Sequence, residues 1–556
     1  MRRTLLKNSA IFVLLSVLLL TVLTSCSTPT EAPAMITEVP EVAKEPVAEA
    51  EEPVSEEKVL IIGHLESGES YDPAHGLNPT SMMVNRATYD TLVTFAGSDA
   101  SSIEPYVATD WTISDDGLIY TFTLRDDVKF NNGDPLTAED VVFSFNRLKH
   151  VQSNPSYLTD PIDSVEAVDD LTVAITLVEP RPSFLAELIQ PVFSITNADR
   201  VISASGTDAE DAVTTDGAQE FLNQNSVGTG PYMLESWTPQ DETVLVRNPN
   251  YWGEQPYFDR VLIINMPEAA TQKVALESGD IALATDLTAD QVKALEDDPN
   301  LTIFRGLDRF THYLAMNRNP EIGGPVSDPT VALTIRYALD YEGYTELWTG
   351  SVTPGTNMWV GVPGAFGPER AFERDLDRAR DLLVEAGYPN GFEIELSYPD
   401  VTFGGINFGS NAQKIQADLA EAGITVVLRP MEVQVAMEEY RNGEQGFAYW
   451  VWNPDVLDSA DLLSFFPGGT VADDRIHWGE DMINQEILDL LAQARVETNP
   501  EARKEVFEQL QVYAQESSPY APFMVSAFQI VYSSDIEGLV WNPAWGLDIA
   551  SLSGSE

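Results

Sequence analysis

Hydrophobic and polar positions alternate and then change period between residues 105 and 148. Trp111 and Ile113 fall on one side of an extended run, Asp115-Asp116-Gly117 supplies a turn, and Tyr120, Phe122 and Leu124 alternate with polar neighbours. That pattern predicts a β-hairpin. Thr137 and Asp140 make a near capping box, and Val141, Phe145 and Leu148 recur at helical spacing, so a helix with that face buried follows. Further on, a helix–glycine–strand rhythm recurs. Residues 271–278 read as a helix stopped by Gly279-Asp280, with a strand over 281–284. Asp328-Pro329 opens a helix that carries Ile335 and Leu339 on one face. Helix 376–386 ends at Gly387 before the alternation Phe392, Ile394, Leu396, and helix 415–422 ends at Gly423 before a strand over 424–428. Residues 433–440 then precede the apolar run Phe447–Trp452. Proline at a helix start and glycine past its end are the expected punctuation, and helices alternating with strands predict an α/β protein.

The first residues follow another logic. Arg2, Arg3 and Lys7 precede an apolar run from Ala10 to Leu23, the charged and hydrophobic regions of a secretory leader. The run is short for a membrane span, which takes about 20 apolar residues. It ends in Leu23-Thr24-Ser25-Cys26, which is similar to a bacterial lipobox and makes Cys26 the expected lipidation site. Cys26 is the sole cysteine, so no internal disulfide can form, and a body of this size buries enough core without one. From Ser27 to Glu57, Pro, Ala, Val and nine Glu against one Lys predict a disordered, extended tether. Leader, lipid and tether place the body on the outward face of a membrane, in the periplasm or at the cell surface.

Residues 58–556 exceed the usual size of one domain, so at least two are expected. Asp and Glu total 88 against 31 Lys and Arg, a formal charge of −57. Such a field repels phosphate backbones and argues against nucleic-acid binding. It reads as a well-solvated acidic surface; selection against anionic solutes and adaptation to salt are the functional alternatives.

The run from 105 to 145, PYVATDWTISDDGLIYTFTLRDDVKFNNGDPLTAEDVVFSF, resembles the signature of the family 5 extracellular solute-binding proteins, the peptide- and nickel-binding group served by ABC importers. Further matches are NSVGTGPY at 225–232, VRNPNYW at 246–252, HYLAMN at 312–317 and residues 412–428. The resemblance implies a two-lobed type II periplasmic-binding-protein fold with an extra subdomain in the first lobe. The implied division is a leader over 1–25, lipidated cysteine and tether over 26–57, lobe I over 58–309 and 519–556, and lobe II over 310–518. The subdomain takes about 98–222, and the hinge lies near Tyr313 and near residues 520–525. Implied partners are a peptide, an ABC permease with its ATPase subunits, and the membrane through the lipid. The protein is expected to be a monomer without cofactor or metal.

The sharpest candidate site is Ala448-Tyr449-Trp450-Val451-Trp452-Asn453-Pro454-Asp455. A strand that stops at Asn453-Pro454 leaves Asp455 just beyond its carboxyl end, where open α/β sheets bind ligands. Indole rings offer contact area and a carboxylate selects an ammonium group. In the family's peptide binders a Trp-x-x-Asp at this place holds the peptide's amino terminus, and Trp452-x-x-Asp455 matches that spacing. The family continues Asp-Tyr-x-Asp-Pro, whereas this chain reads Asp455-Val456-Leu457-Asp458-Ser459. Two readings stay open: Trp450, Trp452, Asn453 and Asp455 form a recognition corner, or the tryptophans are core and Asp455 caps the 458–465 segment. Tyr157 resembles a family tyrosine that lines the pocket from the first lobe; its alternative is a loop tyrosine packed on the subdomain. Asn317 reads as structural. The segment 355–367, with Met358, Trp359 and Phe366, reads either as cleft lining or as a loop folded on its own aromatics.

Enzyme readings find no support. The chain has no Gly-x-Ser-x-Gly elbow, no His-Glu-x-x-His and no Walker loop. His64, His75, His150, His312 and His477 lack ligand spacing, and Pro231 blocks the helix amide that Gly228-Thr229-Gly230 would need to hold phosphate. The expected function is solute capture for import, most simply of dipeptides or oligopeptides. Alternatives are the same fold with an oligosaccharide or metal complex, or a surface sensor or adhesion module that does not transport.

Overall fold

The computed structural model describes residues 57–555 apart from 67, 404 and 455. The leader, Cys26, the tether up to residue 56, and Asp455 lie outside the described residues. Two long strands, Leu301–Met316 and Tyr520–Ser533, organise the rest. They pair antiparallel in the middle of a ten-stranded sheet. On one side the order continues through Leu283–Ala284, Val59–His64, Arg260–Asn265, Glu242–Arg247 and Tyr232–Thr238. On the other it continues through Phe447–Trp452, Phe392–Pro399 and Ile424–Met431.

Each long strand serves both halves. Leu283 and Ala284 pair with Tyr532 and Val531, near one end of the pair, while Thr311–Met316 pair with Trp452–Phe447 near the other. Between the halves the ladder breaks: Leu307 faces Ala527, the next pair is Thr311 with Val525, and residues 308–310 fall in the gap. The mixed α/β architecture and its two lobes are those the sequence led us to expect. The strand of 281–284 is shorter than expected: only Leu283–Ala284 pair as a strand.

Apolar periodicity accounts for the layers. Leu60, Ile62, Leu245, Val261 and Ile263 form the core of one half-sheet. Leu314, Ile335, Leu396, Ile415 and Ile424 form that of the other, against helices Pro329–Ala338 and Phe408–Ala422. Gly279, Gly387 and Gly423 take positive φ just after their helices, the left-handed turn that glycine enters at least cost.

A separate four-stranded sheet carries the hairpin, with Trp111 opposite Phe122 and Ile113 opposite Tyr120. Helix Ala138–Val151 packs on it, and Thr137 donates both its amide and its hydroxyl to Asp140 Oδ2, at 3.0 and 2.9 Å. Arg147 in that helix is 2% exposed and forms a fork to Asp72, at 2.8 and 2.7 Å, and a second to Asp216, at 2.8 and 3.0 Å. The clamp joins the subdomain helix to the segment after the first strand, and its charges hold Asp72 well below the usual carboxylate range against the opposing effect of burial.

Two of the matched motifs close a structural knot. Asp90 Oδ2 accepts from the Thr229 hydroxyl and the Trp252 indole, each at 2.8 Å, and Asn248 Nδ2 donates to the Gly230 carbonyl at 2.8 Å. A methyl group at Gly228 would sit 2.3 Å from the Thr88 carbonyl oxygen, and one at Gly230 would sit 2.5 Å from the Thr88 carbonyl carbon. These glycines let two chain segments touch. Among the described residues no helix is long and apolar enough to cross a membrane.

Candidate functional site

Strand Phe447–Trp452 runs antiparallel to Leu301–Met316 and ends opposite Thr311, at the break in the ladder. Its six residues read FAYWVW, and Trp450 and Trp452, two apart, share one face. Trp450 is 4% exposed, stacks on Tyr440 at 4.8 Å between ring centroids, and donates its indole N–H to Gln445 at 2.9 Å. Trp452 is half-buried, meets Phe465 edge-on at 5.1 Å, and donates to Asp461 Oδ2 at 2.7 Å. Asn453 is exposed and Pro454 buried.

Two cavities adjoin this region. The larger, about 560 Å³, is lined by the subdomain segment 179–183 and Glu187, by residues that follow Asp455, and by the end of helix Gln485–Val496. Val456, Asp458 and Asp461 form part of its wall, which brings it against Trp452 through Asp461. Its size falls within the range of small-molecule sites. Arg503 grips Asp458 with both terminal nitrogens, so the second acid of the family pattern is committed to an ion pair here. Across the cavity Glu187 Oε1 accepts from Arg181 Nε at 2.5 Å and from the Ser183 hydroxyl at 2.8 Å. Burial pushes the Glu187 carboxyl up, and the Arg181 guanidinium only partly offsets it.

The smaller cavity, about 350 Å³, lies along the crossing strands and takes its walls from those strands and from loops flanking them, including Asp286, Asp308, Trp348 and Ile406. Burial would raise Asp286, but His64 and the Thr285 hydroxyl hold it down to about 2. Asp308 stands in the ladder break; burial pushes it up to about 6 against the pull of Arg309. Its carbonyl accepts the Trp359 indole N–H at 2.8 Å.

The geometry thus brings Trp452 beside a cavity and places Trp450 in the core behind it. Tyr157, 44% exposed on the subdomain turn Asn154–Thr159, is not among the residues that line either cavity. Met358, Trp359 and Phe366 are buried, and Gln511 holds their loop through Phe366 N and Gly364 O, at 2.8 and 2.7 Å. Asn317 is fully buried and donates to the Gly443 carbonyl at 2.9 Å, a structural part as its sequence position suggested. Sequence reasoning missed Asp461, Glu187 and Asp308. An isolated acid in a chain with 88 of them carries no local signal.

The model of bacterial extracellular solute-binding proteins, family 5 Middle, matches residues 102–474. The probable D,D-dipeptide-binding periplasmic protein DdpA of Escherichia coli K12 is 27% identical over 496 residues, covering 87% of this chain and 92% of that protein. Heme-binding protein A of Haemophilus influenzae is 29% identical over 500 residues, covering 85% and 88%. Among solved structures, HbpA2 of Haemophilus parasuis superposes with a TM-score of 0.78 at 25% identity, covering 90% of this chain and all of that one. The matched stretch takes in the hairpin–helix unit, the first crossing strand and Trp452 alike, and the chain belongs to the family 5 bacterial extracellular solute-binding proteins.

Proposed function

We propose that the protein is the lipid-anchored, extracytoplasmic binding subunit of an ABC importer and captures dipeptides or oligopeptides between its lobes. The observation that carries the reading is the cavity of about 560 Å³ whose wall begins one residue beyond Asp455, beside Trp452. In this reading Asp455 takes the peptide ammonium, Trp452 and Asn453 flank it, Trp450 backs the strand and Tyr157 approaches from the first lobe. Lobes over 58–309 with 519–556 and over 310–518 close about the crossing strands, and the liganded form docks on a permease driven by ATPase subunits. The protein acts as a monomer, by binding and release rather than turnover. Cys26 carries the lipid, and the acidic tether spaces the body from the membrane. The dipeptide-binding name of the Escherichia coli relative supports the cargo.

Calorimetry on residues 58–556 with free and amino-acetylated peptides tests it. Heat with the free peptides alone is the expected result, lost in Asp455→Ala with the fold intact; no heat with either set discards the peptide cargo. A metal complex is the second reading, favoured by the heme-binding relative. Four carboxylates on the cavity wall disfavour the propionates of heme, and a hemin titration followed by absorbance decides between the two.

A further inference from the structure

The wall of the larger cavity is chemically one-sided. Glu179, Glu187, Asp458 and Asp461 line it against two guanidiniums, Arg181 and Arg495. Segments 179–187 and 458–461 each supply two of the four carboxylates. Asp458 is already paired with Arg503, and Arg181 is engaged by Glu187 Oε1. Glu187 itself is 1% exposed, and its second oxygen, Oε2, has no hydrogen-bond partner. A buried carboxylate oxygen without a donor is costly. Asp458 adds like-charge repulsion to the burial that already raises this carboxyl. An entering ammonium or guanidinium would supply the missing donor and relieve the repulsion together. An entering carboxylate would meet four acids against two guanidiniums, one of them already held by Glu187.

We infer that this cavity selects peptides that carry a cationic side chain, with Glu187 as the group that recognises the cation. The inference rests on the peptide reading of the same site and adds the class of peptide. Recognition is a charge-assisted hydrogen bond on a low-dielectric wall, so it favours Lys and Arg over neutral residues and excludes Asp and Glu.

The test compares Ala-Ala-Ala, Ala-Lys-Ala and Ala-Glu-Ala by calorimetry on residues 58–556. The expected result is that Ala-Lys-Ala binds at least about tenfold tighter than Ala-Ala-Ala, with Ala-Glu-Ala weakest. Glu187→Gln should bring the lysine-to-alanine ratio close to one, with the fold checked by circular dichroism. Should that variant not fold, Glu179→Gln, at an exposed position on the same wall, should lower the ratio in part. Equal affinities for the three peptides, or a lysine preference that survives these substitutions, overturns the inference and leaves the peptide reading standing. If none of the three binds, the peptide reading falls, and agmatine probes the wall alone. Agmatine binding that weakens in Glu187→Gln keeps the cation site; its absence overturns that as well.

Discussion

Trp452 donates its indole N–H to Asp461 Oδ2 at 2.7 Å, which ties the last residue of the strand Phe447–Trp452 to the 3-10 segment Ser459–Phe465. The bond holds Trp452 to Asp461 at the base of the site. Trp452→Phe keeps the edge contact with Phe465 and removes the donor. Peptide affinity should fall by about tenfold, the loss of roughly one charge-assisted hydrogen bond, while the melting temperature changes little. Calorimetry and thermal unfolding on the same sample check both, and unchanged affinity would detach this bond from the site.

The Asp72–Arg147–Asp216 clamp is the main buried ionic device between the subdomain helix and the first half-sheet. Arg147→Met takes the guanidinium from two buried carboxylates, leaving Asp72 with His75 and the Ala74 amide and Asp216 with the Thr207 and Ala218 amides. Removing one partner of such a set costs about 3–5 kcal/mol. Urea unfolding should show a loss of that order, and a loss under about 1 kcal/mol would mean the two acids find other partners.

Asp308 gives a pH signature. Its folded carboxyl titrates near 6, above its ordinary value of 3.8, so its stabilising contribution is complete below 3.8 and is lost as pH rises through about 6. Asp308→Asn should therefore be the more stable protein at pH 7.5, by on the order of 1–3 kcal/mol, with the difference gone near pH 4. His312 runs the opposite way: burial holds it down to about 3, so its neutral form is lost to acid. That effect is common to both proteins and cancels in the comparison of their thermal unfolding curves.

Gly230→Ala places a methyl 2.5 Å from the Thr88 backbone, where nothing flexible can yield. The cost should be about 1–3 kcal/mol, as for other overpacked contacts. Val274→Ala, at a residue 65% exposed on helix Ala269–Ser278, should cost far less in the same thermal unfolding measurement.

The elements were legible where one residue type dictates a local geometry. Gly279, Gly387 and Gly423 stop their helices as read, and Tyr120, Phe122 and Leu124 bury the face that their alternation assigned. Long-range polar pairing was not legible. Arg147 lies 75 residues from Asp72 and 69 from Asp216, and no period connects them. The shared strand was read only in part. HYLAMN marks the fully buried end of Leu301–Met316, whereas the other end, LTIFRGL, has no core-like alternation because its residues are all only partly buried. At the site, the strand end at Trp452 followed from Asn453-Pro454. The acids that meet there come from two separate segments, 179–187 and 458–461, and only the fold brings them together.

The break at residues 308–310 has a mechanical meaning. Both lobes are mounted on one pair of strands, so neither swings on a loose linker. Rotation of one against the other would be torsion of a two-stranded bar, concentrated where the register shifts. The ladder over 301–307 is continuous, and on the other side a second register shift falls between His312 and Tyr313; a one-residue slip of the paired stretches would turn every inward side chain outward. The closure proposed above would be taken up between Leu307 and Tyr313, where both register shifts fall, and the paired strands would keep the two halves of the binding surface aligned as they meet.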